Sequence, residues 1–459
     1  MPNWKTWGLS LLLILTNPAL ATESPTLFET QLDNGLQVIV KSDHRSPIVV
    51  HQAWYRVGAN YEPTHLTGIS HMLEHMMFKG TENMAPGEFS REVSRLGGRD
   101  NAFTSANYTA YFQIVGREHL ARVMEMEADR MANLKLTDAE FQPERNVVIQ
   151  ERLWAVDDRP SARLFEQFKA TAFLSSPERN PIIGWMDDIK NYTLEDLQAW
   201  YDRWYSPSNA TLVVVGDITP DEVLTYAKQT YGQIPARDIA PPRSAVEIPQ
   251  QGQRRIILKD AVPVPSLLIG FHAPSLVSAE DPADVYALAV LSSILGGNDS
   301  SRLTQALVRD QQLASSAGSF YRFLGRLGSQ FALSAQPNPG VSVAQLEEAL
   351  LAQITRLQNE PVTQAELNRV LAQAEAAHVF SQDSIQSQAN MLGMLVSVGL
   401  PSSTFDDYVD NLRQVTPEQI QQVANRYLQL DQSTVAILEP SGQTNRRPAA
   451  RPDFGGRSH

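Results

Sequence analysis

Cysteine is absent from this chain of 459 residues, and its absence excludes several kinds of chemistry. No disulfide can staple the fold, no thiolate can bind a metal or attack a substrate, and no lipid can be attached through a cysteine. Any metal must therefore be held by histidine and carboxylate side chains. A chain of this length can bury large apolar cores, so a secreted protein of this size does not need disulfides.

Basic charge is also scarce, because 38 Lys and Arg residues stand against 51 Asp and Glu residues and the formal net charge is −13. The main body carries no block rich in Lys and Arg, so we expect no nucleic-acid partner. The rest of the composition, 42% hydrophobic and 19% charged, is typical of globular proteins. At roughly 150 residues per domain, the length predicts two or three domains.

Long hydrophobic runs are missing except near the N-terminus, where Lys5 precedes an apolar run over residues 7–15. This run is too short to span a bilayer of about 30 Å, and the small residues Ala19 and Ala21 suit cleavage directly after Ala21. We therefore predict a signal peptide over residues 1–21, a periplasmic or secreted location, and no membrane anchor.

Strands and helices alternate along the remainder of the chain. The segment FETQLDNGLQVIVKSD alternates apolar and polar residues around Asn34 and Gly35, which predicts a hairpin. Helical periodicity follows in HLTGISHMLEHMMF and REHLARVMEMEADRMANL, and ATLVVVGDI returns to a strand. The segments WYSPSNATLVVVGDITP and RYLQLDQSTVAILEP resemble each other, since both are a helix end followed by a strand. This similarity indicates an internal duplication.

Domain boundaries follow from composition. The proline-rich stretch PARDIAPPRSAVEIPQQGQ has no apolar periodicity and is typical of a linker. We predict one domain over residues 22–235, a linker over 236–253, and a second domain of the same fold over 254–440. The last segment, residues 441–459, is poor in apolar residues and predicts a disordered tail.

The segment GISHMLEHMMFKGT carries the strongest chemical motif. His71 and His75 are four residues apart on a predicted helix, so both project from one face with Glu74 beside them. This H-x-x-E-H order is the inverse of the commoner H-E-x-x-H order and is typical of zinc peptidases. Catalytic zinc normally takes three protein ligands and leaves a fourth position for water, so a third ligand is needed.

The segment TDAEFQPERNVVIQERLW offers two candidates for that ligand. Thr137 and Glu140 predict a capping box, and Pro143 is expected in the first turn of a longer helix. Glu144 and Glu151 are seven residues apart, which places them on one face of that helix. Because helical glutamates usually face solvent, the residues alone do not decide whether either one points inward.

Together, these motifs resemble the pitrilysin/insulinase family of inverted zinc metallopeptidases. The resemblance extends to NAFT at 101–104, to WYSPSNATLVVVGD and to LGGNDSSRL, and so covers nearly the whole mature chain. It implies one zinc ion per chain, with the ligands and accessory residues that follow: His71, His75 and Glu151 as zinc ligands, Glu74 as the general base that activates water, and Glu144 as an outer carboxylate that orients the site.

The resemblance also implies a fold and a substrate. The expected fold is α+β, with two homologous half-domains that form a clam-like chamber, each a mainly antiparallel sheet with helices packed on one side. The expected reaction is hydrolysis of peptide bonds in unstructured peptides. The family pattern places the peptide on an edge strand at Asn101, Ala102 and Phe103, whereas strands of this composition are otherwise mostly core.

One departure from the family concerns the second half. Members that act alone usually carry an Arg and a Tyr seven residues apart there. In ALVRDQQLASSAGSFY, Arg309 matches the arginine, but the segment is one residue short and the tyrosine position falls on Ser315 or Ser316. The chain therefore resembles the zinc-bearing subunit of the processing-peptidase-like branch. Its partner would be a homologous subunit with the Arg/Tyr pair or a second copy, unless Tyr321 supplies the missing hydroxyl.

Two other interpretations remain open. A catalytically silent scaffold or assembly subunit is disfavoured because buried polar groups without a metal would cost several kcal/mol. A zinc-buffering protein is disfavoured by the presence of Glu74.

LGGNDSSR lacks the spacing of a phosphate loop and is interpreted as a turn. No role is assigned to isolated histidines, which are usually structural: His51, His65, His119, His272 and His378.

Overall fold

The structure, a computed structural model, describes residues 27–240 and 245–442. The predicted signal peptide and residues 443–459 of the predicted tail lie outside these described residues. Within the described ranges, no helix is both long enough and apolar enough to cross a membrane. Residues 236–240 and 245–253 of the predicted linker contain neither helix nor strand.

The first sheet has six strands, and all neighbouring pairs but one are antiparallel. Its strands are β1 (Leu27–Gln31), β2 (Gln37–Ser42), β3 (Ile48–Tyr55), β4 (Arg99–Thr104), β5 (Thr109–Gly116) and β6 (Ala210–Gly216). They are arranged in the order β1-β2-β6-β3-β5-β4, and β2 runs parallel to β6. The predicted hairpin is confirmed, since Gln31 pairs with Gln37 around Gly35, whose φ of 85° suits glycine.

Eight helices accompany this sheet in the described residues. They are α1 (Ile69–Met76), α2 (Glu88–Arg95), α3 (Leu120–Asn133), α4 (Asp138–Arg152), α5 (Pro160–Ala172), α6 (Met186–Asn191), α7 (Leu194–Trp204) and α8 (Pro220–Gln229). A π-helical segment, Leu153–Asp157, continues α4. The large core on one face of the sheet combines apolar side chains of the strands with those of α1, α3 and α7.

The second half repeats this plan. Its strands are β7 (Arg254–Asp260), β8 (Ser266–Ala273), β9 (Ala314–Tyr321), β10 (Ser329–Pro337) and β11 (Thr434–Pro440), and its helices are α9 (Pro282–Gly296), α10 (Val343–Asn359), α11 (Gln364–Gln382), α12 (Ile385–Val398), α13 (Thr404–Arg413) and α14 (Pro417–Tyr427). The order β7-β11-β8-β10-β9, with β7 parallel to β11, matches the order of the first sheet without β1. The predicted duplication and fold class are confirmed.

Each sheet is also covered on its second face by a helix from the other half. Trp54 of β3 packs with Ala389 and Leu392 of α12 in a separate apolar cluster. In the second sheet, Phe168 of α5 packs with Ala436 of β11. Central strands such as β3 and β6 are therefore buried on both faces, and the helices of a half do not by themselves cover its sheet.

The start of α4 differs from the prediction. Thr137 precedes the helix in extended conformation, but its side chain makes no capping hydrogen bond, so the predicted capping box with Glu140 does not form. The backbone N–H of Glu140 donates instead to the carbonyl of Thr137 at 3.2 Å. Pro143 lies inside the helix rather than in its first turn.

Candidate metal centre

All eight residues of α1 are buried, including the three polar residues of the motif. The helix packs against α4, α7 and β4, and its apolar residues Ile69, Met72, Leu73 and Met76 join the main core. Only 8% of His71, 3% of Glu74 and 4% of His75 is exposed to solvent. Polar side chains buried to this degree need partners, and these partners come from α4 and β4.

His71, His75 and Glu151 converge on one point, with one potential donor atom from each lying within 4.8 Å of the others. Nε2 of His75 lies 3.4 Å from Oε2 of Glu151, and Nε2 of His71 lies 3.8 Å from Oε1. Donor atoms around a tetrahedral zinc ion, at bond lengths of about 2.1 Å, are about 3.4 Å apart. Both the donor types and their spacing therefore fit zinc.

Glu144 stands behind this group. Its Oε1 lies 2.9 Å from Nδ1 of His75, and its Oε2 contacts the ammonium group of Lys79. Burial opposes ionisation of Glu144, but hydrogen bonds from His75 and Lys79 hold its pKa below the ordinary value. A carboxylate that accepts from Nδ1–H leaves Nε2 of the same ring facing Glu151, as a metal ligand requires.

The protonation of His75 responds to the same contacts. Burial lowers its pKa, but hydrogen bonds to Glu144 and Glu151 outweigh burial and raise the pKa to about 9. Metal binding requires the neutral imidazole ring, so a proton on His75 competes with a metal ion.

Glu74 lies beside the three donors but outside their group. The hydroxyl of Thr104, the last residue of β4, donates to Oε2 of Glu74 at 2.5 Å. This bond fixes the carboxylate next to the end of β4, which is an edge strand of the first sheet. One oxygen of Glu74 is thus held at the end of β4, and the carboxylate acts electrostatically on His75.

The predicted peptide-binding residues lie on β4. Ala102 faces the main core, and the ring of Phe103 packs edge-on against Trp54 at 5.4 Å between centroids. The backbone N–H of Ala102 donates to Oδ1 of Asn101 at 2.9 Å. The edge position agrees with the prediction, and the peptide-binding role of these residues stays a prediction.

Tyr321, the alternative source of the hydroxyl that the second half lacks, already has partners of its own. Its hydroxyl donates to the carbonyl of Pro274, and its ring packs against Phe331. Burial raises the pKa of this phenol. Tyr321 is therefore built into the core of the second half. Arg309 is exposed, and so are Ser315 and Ser316 at the start of β9.

Three polar residues around the site were not predicted from the sequence: Glu62, Lys79 and Arg152. Lys79 follows His75 by four residues, which is a helical spacing, and this spacing was the available indication. Glu62 and Arg152 contact backbone atoms, Glu62 at Gly68 and Ser70 and Arg152 at Gly184. No residue pattern marks such contacts.

The comparisons with known proteins agree with this geometry. Residues 37–185 match the family described as Insulinase (Peptidase family M16), and residues 191–374 match the Peptidase M16 inactive domain. A protein of Helicobacter pylori named "Zinc protease PqqE" is 33% identical over 441 residues, which are 94% of this chain and 98% of that protein. The chain therefore belongs to the insulinase family.

Solved structures share the fold. A protease from Helicobacter pylori superimposes with a TM-score of 0.85 at 32% identity, and the match covers 91% of this chain and all of that one. The periplasmic protease PqqL from Escherichia coli superimposes with a TM-score of 0.78 at 19% identity. That match covers 90% of this chain but 47% of PqqL, so the PqqL chain is about twice as long.

Proposed function

We propose that this chain is a zinc metalloendopeptidase that hydrolyses peptide bonds in unstructured peptides. One observation carries the proposal: Glu74 lies beside three convergent metal donors and is held by Thr104 at the end of an edge strand. A zinc-buffering site has no use for an additional carboxylate fixed in this position. A silent scaffold has no need for the donors.

In this proposal His71, His75 and Glu151 hold zinc, which when bound supplies Lewis acidity toward a peptide carbonyl and toward water. Glu74 takes a proton from the attacking water and passes it to the amine that leaves. Thr104 keeps one carboxylate oxygen of Glu74 oriented. The substrate lies along β4 as an added strand, which requires an extended and therefore unstructured peptide.

The test combines metal analysis with peptide cleavage. We expect one zinc per chain, loss of cleavage with a chelator and recovery on adding zinc. Glu74→Gln should keep zinc but lose about a hundredfold to ten-thousandfold in turnover, because an amide cannot take the proton. A zinc-loaded wild-type protein that cleaves no better than Glu74→Gln, alone and with a homologous partner, would favour the scaffold instead.

The location and partner are proposed on separate grounds. The N-terminal segment with Lys5, the apolar run and Ala21 supports export to the periplasm. The exposed Ser315 and Ser316 support a partner subunit with the Arg/Tyr pair, or a homodimer. The PqqL chain is about twice as long as the part that this chain matches, so it has room for a second unit of this size.

A further inference from the structure

The N-terminus of α1 has an unusual cap. Gly68 occupies the capping position with a left-handed φ of 85°, and as glycine it offers no side chain to the first N–H groups of the helix. The carboxylate of Glu62, six residues before Gly68, accepts hydrogen bonds from the backbone N–H groups of Gly68 and Ser70. Its Oε2 accepts from Gly68 at 2.7 Å, and its Oε1 accepts from Ser70 at 2.9 Å.

We propose that Glu62 is a positioning residue of the metal centre, whose buried carboxylate holds α1 in the register that brings His71 and His75 to Glu151. The inference rests on the proposed zinc site. Ser70 directly precedes His71, so the second hydrogen bond fixes the backbone one residue before a ligand. A negative charge at this end also stabilises the helix dipole.

A second set of contacts ties the same end of α1 to Glu151. The Cα of Gly68 lies so close to the 183–184 segment that an added Cβ would be 2.3 Å from the carbonyl oxygen of Ile183. Arg152, the residue after Glu151, donates to the carbonyl of Gly184 at 2.7 Å. The segment around Gly184 therefore joins α1 to the ligand-bearing end of α4.

The protonation state of Glu62 should determine whether both of its oxygens can accept these hydrogen bonds. Both oxygens accept hydrogen bonds only in the carboxylate form, because a protonated oxygen is a poor acceptor. Burial raises the pKa of Glu62 to about 7, against the two backbone hydrogen bonds, and Asp188 of α6 adds to the rise. The phenol of Tyr192 also lies in its field, and burial keeps this phenol neutral by raising its pKa.

The test compares Glu62→Gln with Glu247→Gln. Glu247 is a matched control, since its carboxylate also accepts backbone N–H groups, from Leu174, Ser175 and Ser176. Zinc affinity is measured by competition with a chelator at about pH 8 and at about pH 6, on either side of the titration of Glu62. We expect Glu62→Gln to bind zinc about tenfold more weakly at the higher pH, as for other residues that orient ligands. The control should match the wild type.

The pH dependence separates positioning from general destabilisation. At the lower pH the wild-type Glu62 is itself protonated, so the ratio of wild-type to Glu62→Gln affinity should approach one. The ratio cancels the titration of the ligands, which is common to both proteins. A ratio that stays constant over this range would indicate a merely structural effect and would overturn the inference.

A second variant covers the case in which Glu62→Gln does not fold. Glu62→Asp keeps the charge but is one methylene too short to reach both N–H groups, so zinc affinity should fall at the higher pH, unlike in Glu247→Asp, and should approach that of the wild type at the lower pH. Equal zinc affinity of the wild type and the Glu62 variants would overturn this inference and leave the proposed function standing. Zinc binding that survives His71→Ala and His75→Ala would overturn the proposed function instead.

Discussion

At the scale of single residues, Lys79 holds the outer end of a chain of contacts that runs through Glu144 to His75. Lys79→Met should weaken zinc binding about tenfold, as loss of outer partners typically does. Without the ammonium group the pKa of Glu144 rises, so zinc should be released at a higher pH during acidification than from the wild type. Zinc content across an acid titration measures this, with Lys79→Arg as the control that keeps the charge. Identical release curves for Lys79→Met and the wild type would contradict the prediction.

The two helical carboxylates should respond differently to the same change. Glu151 is the one whose oxygens face Nε2 of both histidines, whereas Glu144 contacts Nδ1 of His75 from behind. Glu151→Gln should therefore lose zinc at low free metal, while Glu144→Gln keeps the stoichiometry at reduced affinity. Metal analysis after dialysis against a weak chelator decides between them. The reverse result would exchange the assigned roles.

The sequence predicted the residues of the candidate site better than the residues that hold them in position. His71, Glu74 and His75 are marked by helical spacing, and Glu144 and Glu151 by a seven-residue separation on one helix. Thr104 belongs to the NAFT motif at residues 101–104, but its hydrogen bond to Glu74 depends on where β4 ends. Glu62 acts on backbone N–H groups, which every segment possesses, so no pattern of residue types could single it out.

At the scale of elements, the docking of α1 depends on Gly68. An alanine there would combine left-handed strain with a Cβ 2.3 Å from a carbonyl oxygen. Gly87 caps α2 in a similar conformation, φ 68°, and its added Cβ would meet only the flexible end of Arg91. Gly87→Ala should cost about 1–2 kcal/mol of unfolding free energy.

Gly68→Ala should cost clearly more than Gly87→Ala, by about a further 1–3 kcal/mol for the steric clash. It should also weaken zinc binding, because the clash displaces the helix that carries both histidines. Urea unfolding and zinc competition of the two variants check this. Equal losses of stability, with unchanged zinc affinity in both, would show that the close approach at Gly68 does not position α1.

Element types were predictable where the pattern was local. Alternating residues gave β1 and β2, and apolar periodicity gave α1 and α3. The prediction of a capping box at Thr137 was wrong, because the backbone carbonyl of Thr137, and not its side chain, accepts the N–H of Glu140. The residue types alone do not distinguish these two hydrogen bonds. The packing of α12 on the first sheet was not predicted either, since an apolar helical face does not indicate which sheet it packs against.

At the scale of the whole molecule, one helix of each half packs against the sheet of the other half, and both contacts are close. A Cβ on Gly393 of α12 would lie 2.0 Å from the ring of Trp54, and one on Gly270 of β8 would lie 2.4 Å from the ring of Phe168. Neither sheet keeps both faces covered without the other half. Thermal unfolding of the wild type should therefore be a single transition.

Gly393→Ala tests this coupling. The added methyl overfills the contact with Trp54 and should cost about 1–3 kcal/mol, lowering Tm. Trp54→Leu makes room for it, so the double variant should be more stable than the sum of the two single losses predicts. Calorimetry of the four proteins gives the coupling. Additive losses would mean that α12 does not depend on Trp54 for its position.

The second half reproduces the fold but not the site. The helix α9 occupies the place between β8 and β9 that α1 occupies between β3 and β4, yet its buried residues are mainly apolar. Arg309 is exposed in a π-helical segment before β9, and Ser315 and Ser316 are exposed at the start of β9. One chain thus offers three potential metal donors and the proposed base but, within its described residues, no tyrosine at the position where the family resemblance places one.

The isolated chain should therefore turn over slowly and gain activity from a homologous partner. Loss of one oxyanion donor typically costs about 2.7–4 kcal/mol of transition-state stabilisation, which is about a hundredfold to a thousandfold in rate. The purified zinc-loaded chain is assayed on a set of unstructured peptides, alone and after adding a family member from the same organism that carries the Arg/Tyr pair. We expect a rise in kcat of this size, and no rise when the partner's tyrosine is changed to phenylalanine. Full activity of the isolated chain, unchanged by the partner, would mean that another residue of this chain donates to the oxyanion, with Tyr321 as the candidate if its hydroxyl can leave the carbonyl of Pro274.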